Sequence, residues 1–508
     1  MIKAKLSLIL LFASLATAIR RHSSDLRSDA DTLDVRSESA HHSHADGAAG
    51  ASSSENIRRG LESDEKEIIT RDILDTLLER QYRHLASKSN IKHLPKPEDH
   101  RVTSLPYLDS STFPTKHYAG HLPASIDGDK KLFYWLFEPE TKHEDTPLLI
   151  WLNGGPGCSS MDGLFLENGP FHLVSPSKSG KADWSIEANP HSWHKAPAYT
   201  LYIDQPVGTG LSFSKKKNWC KNDLEVDIDF HYFLMSFLHV YEDMFLSTSD
   251  DIKIGSGDDQ VNQRSMSRPL YFSGESHAGH YIPSMMDYIL QRNGDIDPKT
   301  APPVKINLAG AAIGNGWMDP FYQYAGAEAS YGAGLIDLAQ LESLDKDERK
   351  CRDYLNQGSY RHGICFDLLD GIVDQSYGTN SDYRVSFYDN RIIEYKGKPR
   401  TFPEGYHNVE RYLGGWTGKN YPSDMDVKYE DVLKALHAEE SIDAGQRYEE
   451  CTDPPYNALS HQDGLGVTDE IVRILEHPDE PRLLFFNGMN DMICNHVGNK
   501  KALDNKHV

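Results

Sequence analysis

The sequence "YFSGESHAGHY" occupies residues 271–281. Apolar residues begin it, and a helical pattern, "AGHYIPSMMDYILQR", follows from residue 278. Ser276 lies between two small residues, Gly274 and Ala278. A nucleophile elbow needs this arrangement, because the sharp turn from strand to helix leaves no room for large neighbours two residues from the serine. The stretch therefore predicts an exposed serine between a buried strand and a helix.

Further apolar runs on both sides of this stretch predict the rest of the sheet. They are "KLFYWLFEPE", "TPLLIWLNGGPG", "AYTLYIDQPVG", "VKINLAGAAIGN" and "RLLFFNGMND". Continuous apolar runs that end in glycine-rich turns, with helical segments between them, are typical of parallel strands buried on both faces. We therefore predict an α/β fold with one doubly wound, mostly parallel sheet.

The chain between about residues 319 and 455 departs from this pattern. It is irregular and charged, and it contains three of the six cysteines. Open α/β sheets bind ligands at the carboxyl edge of their strands. We predict that this segment is an insertion that covers that edge as a lid.

The first 100 residues precede the predicted α/β domain at 101–508. Residues 1–18, "MIKAKLSLILLFASLATA", have basic residues, an apolar centre and a small-x-small ending, which indicates a secretory signal peptide. Residues 19–100 predict a polar, disordered leader and then a helical N-terminal extension or propeptide. Three histidines in the leader could bind metal, but a solvated tract is favoured: His41, His42 and His44.

The charge balance limits the partners of the chain. The 508 residues include 53 basic and 76 acidic side chains, a net charge of −23. This excess opposes nucleic acid and anionic membranes as partners. No run after the leader reaches the roughly 20 apolar residues of a membrane span.

Two other stretches fit the chemistry of an activated serine. "WLNGGPGCSS", residues 151–160, is rich in glycine, so its backbone N–H groups could approach a developing negative charge in an oxyanion hole; alternatively it is a tight turn. Asp491 follows the run "RLLFF" and falls where the acid of a Ser–acid–His order belongs, although it could be an ordinary loop aspartate.

Together these residues resemble the serine carboxypeptidases, peptidase family S10, which have the α/β-hydrolase fold. The motifs occur in the family's order from about residue 101 to the end: "WLNGGPGCSS", "YIDQPVGTGLSFS", "GESHAGHYIP", "IGNGWMDP", "RYEEC" and "NGMNDMICN". "CSSMDG" further resembles the Kex-type processing branch, which trims basic residues from prohormone C-termini.

The resemblance implies a role for each matching residue. Ser276 matches the nucleophile and Asp491 the acid of the catalytic triad. Backbone N–H groups of Gly155 and His277 would form the oxyanion hole. The family usually has Tyr or Phe at position 277, but only the backbone is required there.

A second group of matching residues would bind the terminal carboxylate of the substrate. Its members are Asn153, Gly154, Glu167 and Glu275. Two glutamates close together cannot both ionise cheaply, so one should keep a proton and donate a hydrogen bond to the substrate's carboxylate. Binding should therefore weaken as the pH rises, which implies an acidic working compartment.

Asp162 matches a position in the pocket for the departing residue. A carboxylate there would favour Lys or Arg by charge pairing. The alternative is a solvated loop aspartate.

The resemblance also implies one disulfide, and proximity suggests another. "GCSS" and "RYEEC" match a family pair, Cys158–Cys451, and Cys351–Cys365 would close a short loop. Cys494 matches a free thiol near the site, and Cys220 has no assigned partner, so a Cys220–Cys494 bridge stays open.

The catalytic histidine has no match in the chain. In the family it lies in a later loop, and only His496 and His507 follow Asp491 here, neither in the expected context. A side chain at His277 should point away from the serine. We expect that the sequence stops before the catalytic histidine, so that the chain as given would not turn over a substrate.

The resemblance implies a serine-type carboxypeptidase that releases single C-terminal amino acids from peptides or proteins through an acyl-enzyme. Alternatives are a non-catalytic relative that binds peptides or protects a partner, and an acyltransferase of the same family. No cofactor, metal, nucleic acid or transmembrane segment is implied. The expected location is the secretory pathway, with secretion or residence in a vacuole, lysosome or Golgi.

Overall fold

The computed structural model describes residues 93–109, 113, 115–174, 184–248, 251–257, 260–378, 380–396, 406–415 and 428–505. The predicted signal peptide, the leader with its histidines and the helical extension before residue 93 lie outside these ranges, as does His507. None of the helices in the described ranges combines the length and the apolar character needed to cross a membrane.

The strands form one large sheet and three small ones. In chain order they are β1 (His117–Pro123), β2 (Lys130–Phe137), β3 (Leu148–Leu152), β4 (Phe171–Val174), β5 (Ser185–Ala188), β6 (Tyr199–Asp204), β7 (Phe213–Ser214), β8 (Ile252–Ile254), β9 (Val261–Ser265), β10 (Leu270–Ser276), β11 (Val304–Lys305), β12 (Leu308–Gly316), β13 (Tyr383–Val385), β14 (Ile393–Tyr395) and β15 (Arg482–Phe486).

The large sheet has the strand order β1-β2-β6-β3-β10-β12-β15, with β7 paired to β2. The five strands from β6 to β15 are mutually parallel, and β1 and β2 join antiparallel at one side. The carboxyl ends of β3, β10, β12 and β15 therefore lie at one edge of the sheet. This is the edge where ligands bind in open α/β sheets.

The predicted parallel direction is wrong for the strand in "KLFYWLFEPE". This strand, β2, runs antiparallel to β6, with Phe133 opposite Asp204 and Phe137 opposite Thr200. All but one of its residues are buried. Its continuous apolar run therefore indicates burial on both faces. An antiparallel strand in the middle of a sheet can be buried in this way, just as a parallel strand can.

Thirteen α-helices surround the sheet in the described ranges. They are α1 (Asp223–Val240), α2 (Glu242–Phe245), α3 (Ala278–Asn293), α4 (Pro320–Gln323), α5 (Ala327–Gly332), α6 (Leu338–Asn356), α7 (Gly363–Gln375), α8 (Tyr406–Tyr412), α9 (Tyr429–Ala435), α10 (Glu439–Asp443), α11 (Asp453–Leu459), α12 (Thr468–Leu475) and α13 (His496–Asn505).

Side chains of β2 alternate between two hydrophobic cores, because successive residues of a strand point to opposite faces. Tyr134 packs in the core formed with α1 and α3. Trp135 packs in the other core, with Phe165 and with Tyr412 of α8. Apolar residues of α1 and α3 thus cover one face of the sheet, and the segment around α8 to α10 covers the other, as expected for a doubly wound fold.

The predicted insertion supplies the elements from α4 to α10, including the β13–β14 hairpin. A third core lies within it and includes Leu344 of α6 and Ile372 of α7. Met492 and Cys494, from the loop after β15, belong to the same core. The insertion therefore packs directly against the loop that carries Asp491.

Candidate active site

Ser276 occupies a strained turn at the end of β10. Its φ is +56°, in the left-handed region, and α3 begins two residues later at Ala278. A Cβ atom on Gly274 would lie 2.4 Å from the carbonyl oxygen of Leu152 and 2.8 Å from the Cβ of Ala278. Larger residues do not fit at position 274, which is the packing reason for the small-x-Ser-x-small pattern.

Asp491 follows β15 and is held by three donors. The amide Nδ2 of Asn315, at the end of β12, donates to its Oδ2 at 2.8 Å. The backbone N–H groups of Ile493 and Cys494 donate to Oδ1 at 2.8 and 3.2 Å. Burial raises the pKa of Asp491 above its ordinary value, although these hydrogen bonds oppose the rise.

Ser276 and Asp491 both line a cavity of about 330 Å³ at the carboxyl edge of the sheet. The insertion contributes three residues from the segment between β13 and β14, which are Tyr388, Asp389 and Arg391. Arg391 is paired with Asp389, Nη2 to Oδ2, at 2.6 Å. No histidine lines this cavity among the residues described.

Asn153, Glu167 and Glu275 meet beside Ser276. The amide nitrogen of Asn153 donates to one oxygen of each glutamate at 3.1 Å. Its own oxygen accepts from the indole of Trp151 at 2.7 Å and from the Gly163 N–H at 3.1 Å, which fixes the orientation of the amide.

The two glutamates are also hydrogen-bonded to each other. Burial, followed by the charge of Glu167, raises the pKa of Glu275 to about 8. Burial raises the pKa of Glu167 as well, although the surface of this residue is exposed to solvent and its bonds to Asn153 and Glu275 oppose the rise. At neutral pH the pair therefore favours holding one proton. A site with such a proton can donate a hydrogen bond to the carboxylate of a bound molecule.

Asp162 is buried rather than solvated, with 6% of its surface exposed. Its Oδ1 has no hydrogen-bond partner among the described residues. Burial, then the charges of Glu167, Asp204, Glu275 and Glu410, raise its pKa well above the ordinary value. The alternative of a solvated loop aspartate is therefore wrong.

The glycine-rich turn after β3 makes close backbone contact with the elbow. A Cβ on Gly154 would lie 2.4 Å from the backbone nitrogen of His277 and 2.8 Å from the Cβ of Ser276. Gly155, the next residue, has a φ of +115°, which L side chains rarely adopt. The turn thus packs directly against the His277 N–H and the Ser276 side chain.

The His277 side chain lies in a buried network behind the elbow. Its Nδ1 is 3.3 Å from Oδ1 of Asp463, and its ring stacks on His280. His280 Nε2 is bound to Asp223 Oδ2 at 2.9 Å. Burial, then the charge of His280, lowers the pKa of His277 to about 3, so this imidazole is neutral.

The structure contains the two predicted disulfides. Cys158–Cys451 joins the glycine-rich turn to the end of the insertion, and Cys351–Cys365 joins α6 to α7. Cys220 and Cys494 are both free and buried, so the bridge left open between them is absent. The Ser276 side chain is within hydrogen-bonding reach of the Cys494 thiol.

Sequence reasoning missed several residues of the site. Asn315, within the motif "IGNGWMDP", binds Asp491, and its φ of +43° is a local signal of a special role. Tyr388 and Arg391 come from the charged insertion, where no sequence pattern marks them. Of the histidines considered as bases, His496 is the first residue of α13.

Comparison with known proteins agrees with this geometry. The family model described as "Serine carboxypeptidase" matches residues 106–508. The chain is 37% identical over 410 residues to the pheromone-processing carboxypeptidase KEX1 of Phytophthora infestans. The aligned region covers 81% of this chain and 61% of that protein. It is 33% identical over 430 residues to serine carboxypeptidase S10 family member 2 of Dictyostelium discoideum, with 83% and 66% covered.

The chain thus spans somewhat less than two thirds of the length of these two curated relatives. Among solved structures, it resembles Kex1(Δ)p, a prohormone-processing carboxypeptidase from Saccharomyces cerevisiae, with a TM-score of 0.59 and 26% identity. That match covers 81% of this chain and 82% of the other. The chain therefore belongs to the serine carboxypeptidase family and has its α/β-hydrolase fold.

Proposed function

We propose that this chain forms the substrate-binding and nucleophile-bearing part of a serine carboxypeptidase that releases single amino acids from peptide C-termini. The observation that carries the proposal is the hydrogen-bonded group of Asn153, Glu167 and Glu275 directly beside Ser276. An amide N–H and a proton shared by two carboxyls suit the terminal carboxylate of a peptide. A nucleophile placed next to that ligand would reach the last peptide bond.

In the proposed reaction Ser276 attacks the carbonyl carbon of the last peptide bond. The N–H groups of Gly155 and His277 would stabilise the oxyanion. The C–N bond then breaks, the terminal amino acid leaves with the serine proton, and water hydrolyses the acyl-enzyme. A base must carry that proton, and Asp491 would orient and stabilise such a base as the acid of the triad.

Asp162 supports a finer proposal, a preference for Lys or Arg as the departing residue. Its carboxyl is buried, has one oxygen without a partner in the described residues, and is surrounded by other acidic groups. A guanidinium or ammonium group would relieve that repulsion by forming an ion pair. Peptides ending in Arg and in Leu should therefore differ in affinity, and Asp162→Ala should narrow the difference; an unchanged ratio would contradict it.

Binding and turnover are tested separately. Calorimetry should show that a peptide with a free C-terminal carboxylate binds, whereas its C-terminal amide does not. Where the protein also supplies the base, mass spectrometry should detect loss of one residue at a time, which stops in Ser276→Ala while binding persists. Failure of both carboxylate binding and release would refute the proposal.

A second candidate function is peptide binding without hydrolysis. It is favoured by the hydrogen bonds of Asp491, which in the described residues come from Asn315 and backbone N–H groups rather than from a histidine. Carboxylate-dependent binding with no release and no labelling of Ser276 by a fluorophosphonate would favour it. Transfer of the acyl group to an added alcohol would instead indicate an acyltransferase.

The two disulfides support a location in an oxidising compartment, because such bonds persist in secretory and extracellular proteins and are rare in the cytosol. We propose the secretory pathway. The raised pKa of Glu275 favours an acidic part of it, where the shared proton is retained. Immunofluorescence of the tagged protein against vacuolar, lysosomal and Golgi markers would test this location.

A further inference from the structure

A second acidic cavity lies on the side of α3 that faces α1 and α12. Its volume is about 330 Å³, and it shares no lining residue with the cavity at Ser276. The polar residues that matter for its chemistry are Asp223, Asp227, Asp287, Gln462, Glu470 and Arg473. A volume of this size suits a small ligand.

Most of these carboxyl groups already have a cationic partner. Arg473 donates to Asp287 at 2.9 and 3.0 Å and to Glu470 at 2.7 Å. Asp223 is bound to His280. Among the acidic residues that line the cavity, Asp227 differs because its hydrogen bond comes from a neutral hydroxyl and not from a cation.

Asp227 is 5% exposed, and its two oxygens have different environments. Oδ2 accepts a hydrogen bond from the Ser284 hydroxyl at 2.7 Å. Oδ1 is buried and has no hydrogen-bond partner among the described residues. Burial of an unpaired carboxylate oxygen is costly, so this atom calls for a donor.

A second acceptor in the same cavity has the same deficit. Oε1 of Gln462 is buried and finds no donor in the described part of the chain. Asp227 and Gln462 both line one acidic cavity, and each has an acceptor without a partner among the described residues. This suits a ligand with several N–H donors and a positive charge. A metal ion fits less well, since no group of three His, Cys, Asp or Glu side chains in the described ranges is arranged to hold one.

We propose that this cavity binds a small organic cation with N–H donors, an ammonium or guanidinium compound. Asp227 forms the ion pair, and Gln462 accepts a further hydrogen bond. Burial, with added repulsion from Asp223, Asp287 and Glu470, raises the pKa of Asp227 well above its ordinary value, although the bond from Ser284 opposes the rise. A bound cation favours the ionised carboxylate and offsets that cost.

Calorimetric titration with agmatine tests the proposal, because agmatine has guanidinium and ammonium groups but no carboxylate. Asp227→Asn should weaken binding at this site at least about tenfold, the typical loss for a charge-assisted hydrogen bond. The titrations use an Asp162→Asn background, so that the guanidinium of agmatine cannot bind at Asp162. Glu348→Gln is the matched control, since it removes a buried carboxylate elsewhere and should leave this site unchanged. Tetramethylammonium, a cation without N–H groups, should bind at least about tenfold more weakly than agmatine.

Gln462→Glu provides an independent variant if Asp227→Asn fails to fold. It adds a carboxylate at the second acceptor and should tighten agmatine binding. The proposal is overturned if millimolar agmatine does not bind the wild-type protein, if both variants bind it with unchanged affinity, or if tetramethylammonium binds equally well. A crystal with only water beside Asp227 at saturating agmatine would overturn it as well.

Discussion

Glu167 and Glu275 accept hydrogen bonds from the same amide nitrogen of Asn153, each at 3.1 Å, and are hydrogen-bonded to each other. Because the two carboxyl groups share a proton, the charge of this site depends on pH. Because the pKa of Glu275 is raised to about 8, this change of charge falls at a pH where binding can be measured.

Binding of a peptide carboxylate should weaken as the pH rises through about 8, the pKa of Glu275. Below that pH the neutral carboxyl can donate a hydrogen bond, and above it the carboxylate repels the ligand, so affinity should fall roughly tenfold per pH unit. Glu275→Gln keeps a permanent N–H donor and should bind with little change between pH 6 and 9 on calorimetric titration. Equal pH dependence in both proteins would argue against a shared proton.

Stability should fall as the pH rises from about 4 to 8. Burial raises the pKa of Asp204 to about 6, of Asp463 to about 7 and of Glu275 to about 8. The folded protein therefore retains protons that the unfolded chain releases near pH 4, so the stabilisation is complete below that pH and is lost as the pH rises through each folded value. Thermal midpoints across this range should fall less steeply in Asp463→Asn; a parallel curve would count against the prediction.

Gly154→Ala should disrupt the site. The added Cβ would lie 2.4 Å from the His277 nitrogen, so the turn after β3 must move away from the elbow. Displacements of about 1 Å at such sites cost on the order of 100-fold in turnover, and we expect peptide affinity to fall as well.

Gly363→Ala serves as the control for this change, because a Cβ there meets no atom within 4 Å and φ is not positive. It should leave the thermal midpoint and peptide binding unchanged. Equal behaviour of the two alanine variants would mean that the Gly154 contact is unimportant.

Removal of the two disulfides should have different effects on binding. Cys158–Cys451 is flanked by backbone bonds from Ser159 to Glu450 at 2.6 Å and from Thr452 to Gly157 at 2.9 Å. Its double serine variant should lose about 2–5 kcal/mol of unfolding free energy and bind peptides more weakly, because the turn beside Asn153 is released.

The double serine variant of Cys351 and Cys365 is the comparison. This bridge closes a short loop within the insertion, so its loss should cost about 3 kcal/mol with peptide affinity retained. Urea unfolding and calorimetry measure the two effects. Similar losses of affinity in both variants would show that the bridge beside the turn has no special role.

Lys130→Met should destabilise the protein strongly. Lys130 Nζ lies 2.5 Å from Oδ2 of Asp229, and both residues are 7% exposed. Loss of the lysine leaves a buried carboxylate without its cation, at a cost of about 3–5 kcal/mol. The double variant Lys130→Met/Asp229→Leu should recover much of this loss in urea unfolding, and no recovery would contradict the account.

Local features of the fold could be predicted because neighbouring residues determine them. The elbow around Ser276 follows from small residues between a strand and a helix, and the glycine-rich turn follows from its own composition. The direction of β2 could not be predicted from its residues, because an apolar run records burial and not the orientation of the partner strand.

Long-range contacts limited the prediction of the candidate site. Asn315 and Asp491 are 176 residues apart, and only the pairing of β12 with β15 brings them together. Tyr388 and Arg391 reach the cavity through packing of the insertion, which has no periodic signal. The raised pKa of Asp162 likewise depends on charges far along the chain, such as that of Glu410.

The position of Glu275 immediately before Ser276 also has a consequence for substrate register. Adjacent residues of a strand are separated by only about 3.3 Å along its axis. With its end held by Glu275 as proposed, a peptide would have room for a single residue before the serine. In the proposed reaction the products should be free amino acids in order from the C-terminus, and dipeptides should be absent from the earliest time points.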